Sequence, residues 1–244
     1  MLEVAGRSPL AQGFYTVAEA AKLIEVGSQN RIRNWLKGYA AREVGPLITR
    51  DFKPIDQIQE LSFLDLLEVR FVEFFREQNV KIPTLRRALI TARNVFGHEK
   101  PFALNHQYHV IDGGRDILVD EVLKPSAQKE GDRRLWSLVT RQHEMADVII
   151  EAIQRGVTFD PQTRLAQTWR PRSEFPGVLI DPRIAYGQPF VEPGIPTEIL
   201  FSSWSAEDED TQAVAEWFEA DIEDVEEAIA FEKALREPEP VLSS

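Results

Sequence analysis

Residues 15–39 read YTVAEAAKLIEVGSQNRIRNWLKGY, a stretch that sets how the N-terminal part of the chain folds. Thr16 and Glu19 form a T-x-x-E capping box, in which each side chain satisfies a free backbone N–H at a helix start. Val17, Ala20, Ala21 and Ile24 recur at i, i+3, i+4 and i+7 and predict one apolar face. Gly27 is expected to break this helix and Ser28 to cap the next. In the second helix Ile32, Trp35 and Leu36 form the expected buried stripe. Asn30, Arg33, Asn34 and Lys37 form the opposite stripe, Arg31 lies beside it, and Gly38 closes the helix. Two short helices joined by a glycine turn are the helix-turn-helix outline, whose second helix enters a major groove. Arg and Lys suit guanine O6 and N7 or phosphate, and Asn suits adenine. A plain amphipathic hairpin with a solvated face has the same pattern, so the geometry alone leaves both readings open.

The overall charge of -12 has the wrong sign for a phosphate binder, but it is unevenly spread. Residues 1–100 carry 15 Lys and Arg against 12 Asp and Glu, residues 101–172 carry 10 of each, and residues 173–244 carry 3 against 18. The acidity therefore sits in the C-terminal part and does not veto DNA binding by the N-terminal one. At 244 residues and 43% hydrophobic content the chain can bury a real core. No apolar run approaches the roughly 20 residues needed to cross a bilayer, and no signal-peptide pattern opens the sequence. The absence of cysteine excludes disulfides, thiol catalysis and cysteine-ligated metal. A soluble cytoplasmic protein is expected, with no membrane partner.

Residues 39–60, YAAREVGPLITRDFKPIDQIQE, place Arg42, Arg50 and Lys53 in a Gly/Pro-marked segment suited to a β-hairpin wing. LSFLDLLEVRFVEFFREQ then opens with a second box, Ser62 and Asp65, and runs as a strongly apolar helix. This order of parts over residues 14–97 resembles the winged-helix DNA-binding domain of MerR-type regulators. The resemblance implies that Arg31, Arg33, Asn34 and Lys37 read or anchor DNA, with Arg42, Arg50 and Lys53 on the backbone from the wing. The next helix should start at Ile82-Pro83 and end at Gly97, with Arg86, Arg87 and Arg93 on a face read as solvated. The leucine heptad of typical MerR regulators is missing, and so is the cysteine that usually senses metal there.

Residues 98–175 read as a small α+β connector. YHVIDGGRDILVDEVL (108–123) has a Gly-Gly turn between apolar runs, a hairpin signal. LWSLVT (135–140) suits a strand, RQHEMADVIIEAIQRG (141–156) a helix, and TRLAQTWRP a final strand. His106 and His109 can share a metal in principle, but no carboxylate completes a site. DGGR precedes no helix and so is a turn before it is a phosphate loop.

From residue 178 the chain turns acidic, with short strands expected first and three helices after them. The last two, about 210–218 and 222–235, are split by EAD, with Asp221 and Asp224 boxing the final helix. Val214, Trp217 and Phe218 are expected to pack one side, and Ile222, Val225, Ile229 and Leu235 the other. Glu223, Glu226, Glu227 and Glu232 should point outward, making a face that repels phosphate. This face is either solvated or a protein-docking surface.

IDPRIAYGQPFV…IPTEIL followed by AVAEWFEADIEDVEEAIAFEKAL is similar, over residues 176–236, to the antitoxin-like domains called domain of unknown function 433. Those domains usually carry Gly-Thr-Arg before the Ile-Pro pair. Here Glu192, Pro193 and Gly194 precede Ile195-Pro196, so the arginine and its role are not carried over. A MerR-like head joined to such a domain resembles VapB-type antitoxins, which implies neutralisation of a small PIN-like ribonuclease and repression of the protein's own operon. The resemblance further implies a cation offered to the carboxylate cluster that holds the ribonuclease metal. Arg170 and Arg172 beside Trp169, with Lys233 and Arg236 in the tail, are the candidates. A homodimer is expected, because one short helix reads only a half-site.

The expected fold is thus mostly α with short β elements (α+β). It consists of a winged helix over 14–97, an α+β connector over 98–175 and an acidic helix-turn-helix-like domain over 176–236. A stand-alone transcription regulator with a ligand- or protein-binding C-terminal part is the competing reading. No catalytic triad order, Walker loop, zinc-helix motif or dinucleotide fingerprint is visible, so neither enzyme activity nor a cofactor is expected.

Overall fold

The computed structural model describes residues 13–39, 43–52, 60–106, 108–111, 116–120, 135–137, 143–144 and 155–237. Helices dominate, with small antiparallel sheets between them, so the fold is mostly α in an α+β mixture. Among the described residues no helix is long and apolar enough to cross a membrane.

The capping box at Thr16 forms as its spacing demands: Glu19 N–H donates to Thr16 Oγ1 at 3.2 Å, and Thr16 N–H to Glu19 Oε2 at 2.7 Å. It starts α1 (Val17–Ile24), directly after the two-residue strand β1 (Tyr15–Thr16). The helix ends earlier than the Gly27 signal suggests. Glu25 takes the left-handed conformation, at φ 63°, and its N–H returns to the Ala21 and Lys22 carbonyls. Ser28 occupies the N-cap position of α2 (Gln29–Lys37), but its side chain makes no capping hydrogen bond. Ile32, Trp35 and Leu36 are buried as their spacing requires.

Strand β2 (Glu60–Leu61) pairs antiparallel with β1, Tyr15 opposite Leu61, and leads into α3 (Phe63–Glu77). The second box also forms, between Ser62 and Asp65. Helix α3 is buried nearly all round, through Leu66, Leu67, Val69, Phe71, Val72 and Phe75. Helix α4 (Ile82–Phe96) has Pro83 in its first turn and closes on Gly97 at φ 65°. Of the expected wing, residues 43–52 contain no strand, only the bridge of Val44 to Tyr39, and Glu60 opens β2; residues 40–42 and 53–59 lie outside the described residues.

Strand β3 (Tyr108–Ile111) pairs with β4 (Asp116–Asp120), which confirms the hairpin; its Gly-Gly turn lies outside the described residues. The meander continues through β5 (Leu135–Ser137) to β6 (His143–Glu144), with Leu135 opposite Glu144 and Trp136 opposite His143. A helix expected from residue 141 is therefore corrected at His143 and Glu144, which supply a pairing partner for β5; residues 145–154 lie outside the described residues. Strands β7 (Val157–Phe159) and β8 (Ala166–Trp169) form a hairpin with a bulge at Thr158/Phe159. Bridges from Trp169 to Ile180 and from Leu179 to Phe190 carry the pairing on towards β9 (Phe190–Val191), which pairs with β10 (Ile195–Pro196).

The three C-terminal helices are α5 (Thr197–Ala206), α6 (Thr211–Phe218) and α7 (Ile222–Arg236). Asp210, not singled out in the sequence, caps α6 through the Ala213 N–H at 3.0 Å, whereas Asp221 caps α7 in backbone position only. Val214, Val225 and Ile229 are buried as expected. Trp217 and Ile222 depart from expectation, at 68% and 40% exposed, and Glu232, expected outside, is 4% exposed. One hydrophobic cluster joins residues of the N-terminal helices, β3, β4, β8 and the C-terminal helices, from Tyr15 to Phe231. Tyr15 Oη donates to the Gly187 carbonyl at 2.6 Å, and the Arg70 guanidinium lies 5.1 Å over the Trp169 ring.

Candidate nucleic-acid interface

Helix α2 presents its polar stripe because three apolar residues anchor the other side. Asn34 and Lys37 are exposed and, among the described residues, their side chains enter no hydrogen bond or ion pair. Arg33 is held along its own helix by Gln29 Oε1 at 2.9 Å and Asn30 Oδ1 at 3.2 Å, which aligns its guanidinium with the stripe. Arg31 differs from these three. It forms an ion pair with Glu73 of α3 while remaining 44% exposed, so it docks the helix on the core.

The segment after α2 is tied down by a separate set of cations. Leu47 and Ile48 N–H donate to the Trp35 carbonyl at 2.8 and 3.2 Å, folding the chain back under α2. Arg86 donates to the Pro46 carbonyl at 2.9 Å, Arg93 to that of Leu47 at 3.3 Å, and Lys100 to that of Thr49. Arg86 and Arg93, read from sequence as a solvated face, thus position the loop. Lys100 was not legible in the sequence at all: it is 2% exposed and pairs with Asp65, 35 residues away. Arg50 is half-buried, with Nη1 enclosed and, among the described residues, without a hydrogen-bond partner. Arg42 and Lys53 lie outside the described residues.

The buried carboxylates of α3 are each answered from another element, as buried charge requires. Asp65 accepts Lys100 and the Ser62 and Asp51 N–H groups, and Glu73 accepts Arg31. Glu68, wholly buried, accepts the Phe102 N–H at 2.7 Å; burial pushes its carboxyl up to about 7 against the pull of Lys100.

The five residues expected to meet a ribonuclease are all engaged within the chain. Trp169 is 1% exposed and belongs to the core. Arg170 donates to the Pro176 carbonyl at 3.0 Å, and Arg172 pairs with Glu25 at 2.8 Å. Lys233 sits 4.1 Å over the Trp204 ring. Arg236 pairs with Glu198 and Glu232 and lies 4.0 Å over Phe201, at one end of a cleft of about 210 Å³ between α1 and α7. His106 stacks on Phe96 at 4.0 Å, and among the described residues no group of three or more His, Asp or Glu could hold a metal ion.

No family model matches the chain. It is 26% identical over 190 residues to the protein named "Putative antitoxin VapB45" of Mycobacterium tuberculosis (strain ATCC 25618 / H37Rv), an alignment covering 72% of this chain and 75% of that protein. The fold is shared with a crystal structure of Rv2018 from Mycobacterium tuberculosis, at a TM-score of 0.58 and 20% identity, over 91% of this chain and 98% of that one.

Proposed function

We propose that this chain is the antitoxin of a toxin–antitoxin pair, binding operator DNA through α2 and neutralising a small PIN-like ribonuclease. The observation that carries the DNA half is the stripe of half-buried Arg33 and exposed Asn34 and Lys37, set opposite a buried Ile32–Trp35–Leu36 anchor. The name of the 26% identical relative supports the antitoxin half. In this reading residues 14–97 are the MerR-like winged head and 98–175 the connector. Residues 176–236 are the antitoxin-like domain of the domain-of-unknown-function 433 type. Arg42, Arg50 and Lys53 support the head on phosphate. A homodimer reads two half-sites about 34–36 Å apart. No step of this function calls for a catalytic group or a cofactor.

Binding of the chain to a DNA fragment from upstream of its own gene, followed by fluorescence anisotropy, tests the DNA half. Arg33→Glu and Lys37→Glu should each abolish specific binding without unfolding the protein. Wild-type affinity should fall with salt at a log–log slope of about -0.9 per phosphate neutralised. Arg31→Ala should mainly lower stability, by about 1 kcal/mol, because it strands Glu73 while removing a half-exposed cation. Operator binding by Arg33→Glu as tight as wild type would overturn the role of α2.

A further inference from the structure

We propose that the Trp217 corner, where α6 meets α7, is a docking surface for a basic protein. Resting on the antitoxin reading, we assign this corner as the surface that takes hold of the ribonuclease. Helix α6 buries Val214 and Ala215 beneath it, yet Trp217 on its outer side is 68% exposed. Ile222, the first residue of α7, is 40% exposed. Phe218, its ring 6.0 Å from that of Trp217, packs inward and fixes the base of the corner. An indole so placed contributes little to the fold, and tryptophan is prominent among the residues that dominate binding energy in protein interfaces.

The charge around the corner selects the occupant. Between Ile184 and Glu232 there are fourteen carboxylates and no Lys or Arg. Glu216, Glu219, Asp221 and Glu223 are all exposed on the two helices and the turn between them. The carboxyl of Asp224 is pushed up by partial burial and then by Asp221, Glu227, Glu192 and Glu223, so acids from α7 and from the loop before β10 act on the same place. Nucleic acid is repelled by such a face. A second copy docking through the same patch would set like charge against like charge, because a two-fold contact is self-complementary. A protein with a cationic rim around an apolar pocket meets both the charge and the indole. The tail cations nearby do not compete for this role, since Lys233 lies on Trp204 and Arg236 is clamped by Glu198 and Glu232.

The test begins with the full-length tagged chain in its own cells. The ribonuclease that accompanies it stoichiometrically is identified, purified and used as the probe. Trp217→Asp should weaken its binding by about 30-fold or more, the size of a hot-spot loss. Glu216→Lys, Glu219→Lys and Glu223→Lys together should slow association and remove its salt dependence. Circular dichroism and operator binding of both variants should match wild type. Unchanged ribonuclease affinity in both variants overturns the docking surface and leaves the antitoxin reading standing. The lack of any ribonuclease with the wild-type chain overturns both. A shift in sedimentation of Trp217→Asp alone would mean that the corner joins two copies of this chain, which also overturns the proposal.

Discussion

Gly38→Ala probes the exit of α2, on which the orientation of the polar stripe depends. Gly38 sits at φ 74° and ψ -164°, a region occupied almost only by glycine. A Cβ there would fall 2.5 Å from the Gly45 carbonyl carbon and against the Val44 carbonyl oxygen. Both are backbone atoms, so relief needs the chain itself to move. The oxygen it meets accepts the Tyr39 N–H at 2.7 Å, so that pairing opens as well. Strain of about 1–3 kcal/mol and a lost hydrogen bond of about 1 kcal/mol together give an expected loss of about 2–4 kcal/mol. That is a large share of the roughly 5–15 kcal/mol that holds a typical domain. Urea titration followed by tryptophan fluorescence measures it, since buried Trp35 lies in the same corner and its carbonyl receives Leu47 and Ile48. Gly27→Ala is the control: among the described residues a Cβ there meets nothing within 4 Å, and stability should stay within about 0.5 kcal/mol of wild type. A Gly38→Ala curve superimposable on wild type would refute this account of how α2 ends.

Glu68 gives stability a pH dependence of definite sign. Its folded carboxyl keeps a proton up to about 7, against an ordinary 4.5, so the contribution is complete below about 4.5 and is lost as pH rises through about 7, by about 3 kcal/mol in all. Glu68→Gln should flatten the decline in denaturation free energy between about pH 5 and pH 8, and an unchanged decline would show that another group titrates. Arg236→Ala should cost about 1–2 kcal/mol, discounted for the partial exposure of the guanidinium, because Glu232 is left buried with Thr197 as its side-chain partner. Adding Glu232→Gln should recover much of that loss in a double-mutant cycle; a loss of ribonuclease inhibition with no change in stability would instead place Arg236 in the interface.

Much of the fold was legible because its signals are local. The Thr16–Glu19 and Ser62–Asp65 boxes, Pro83 and Gly97 at the ends of α4, and the hairpin from Tyr108 all act within a few residues. The same locality explains the misreadings. Gly27 is the better breaker by type, yet Glu25 adopts the left-handed turn, because Val26, 5% exposed, must reach the core immediately afterwards. His143 and Glu144 fit a helical pattern but pair with β5 instead.

Residue spacing alone sets which side chains share a face, Ile32, Trp35 and Leu36 against Arg33, Asn34 and Lys37, and composition alone sets an acidic C-terminal part apart from a mildly basic N-terminal one. The tertiary structure decided which members of each face remain available. Arg31 is drawn to Glu73 across 42 residues, Glu232 is drawn in by Thr197 across 35, and Tyr15 reaches Gly187 across 172. Periodicity orders side chains around one helix, but only packing between distant segments decides which charge is neutralised inside and which aromatic, such as Trp217, is left facing out.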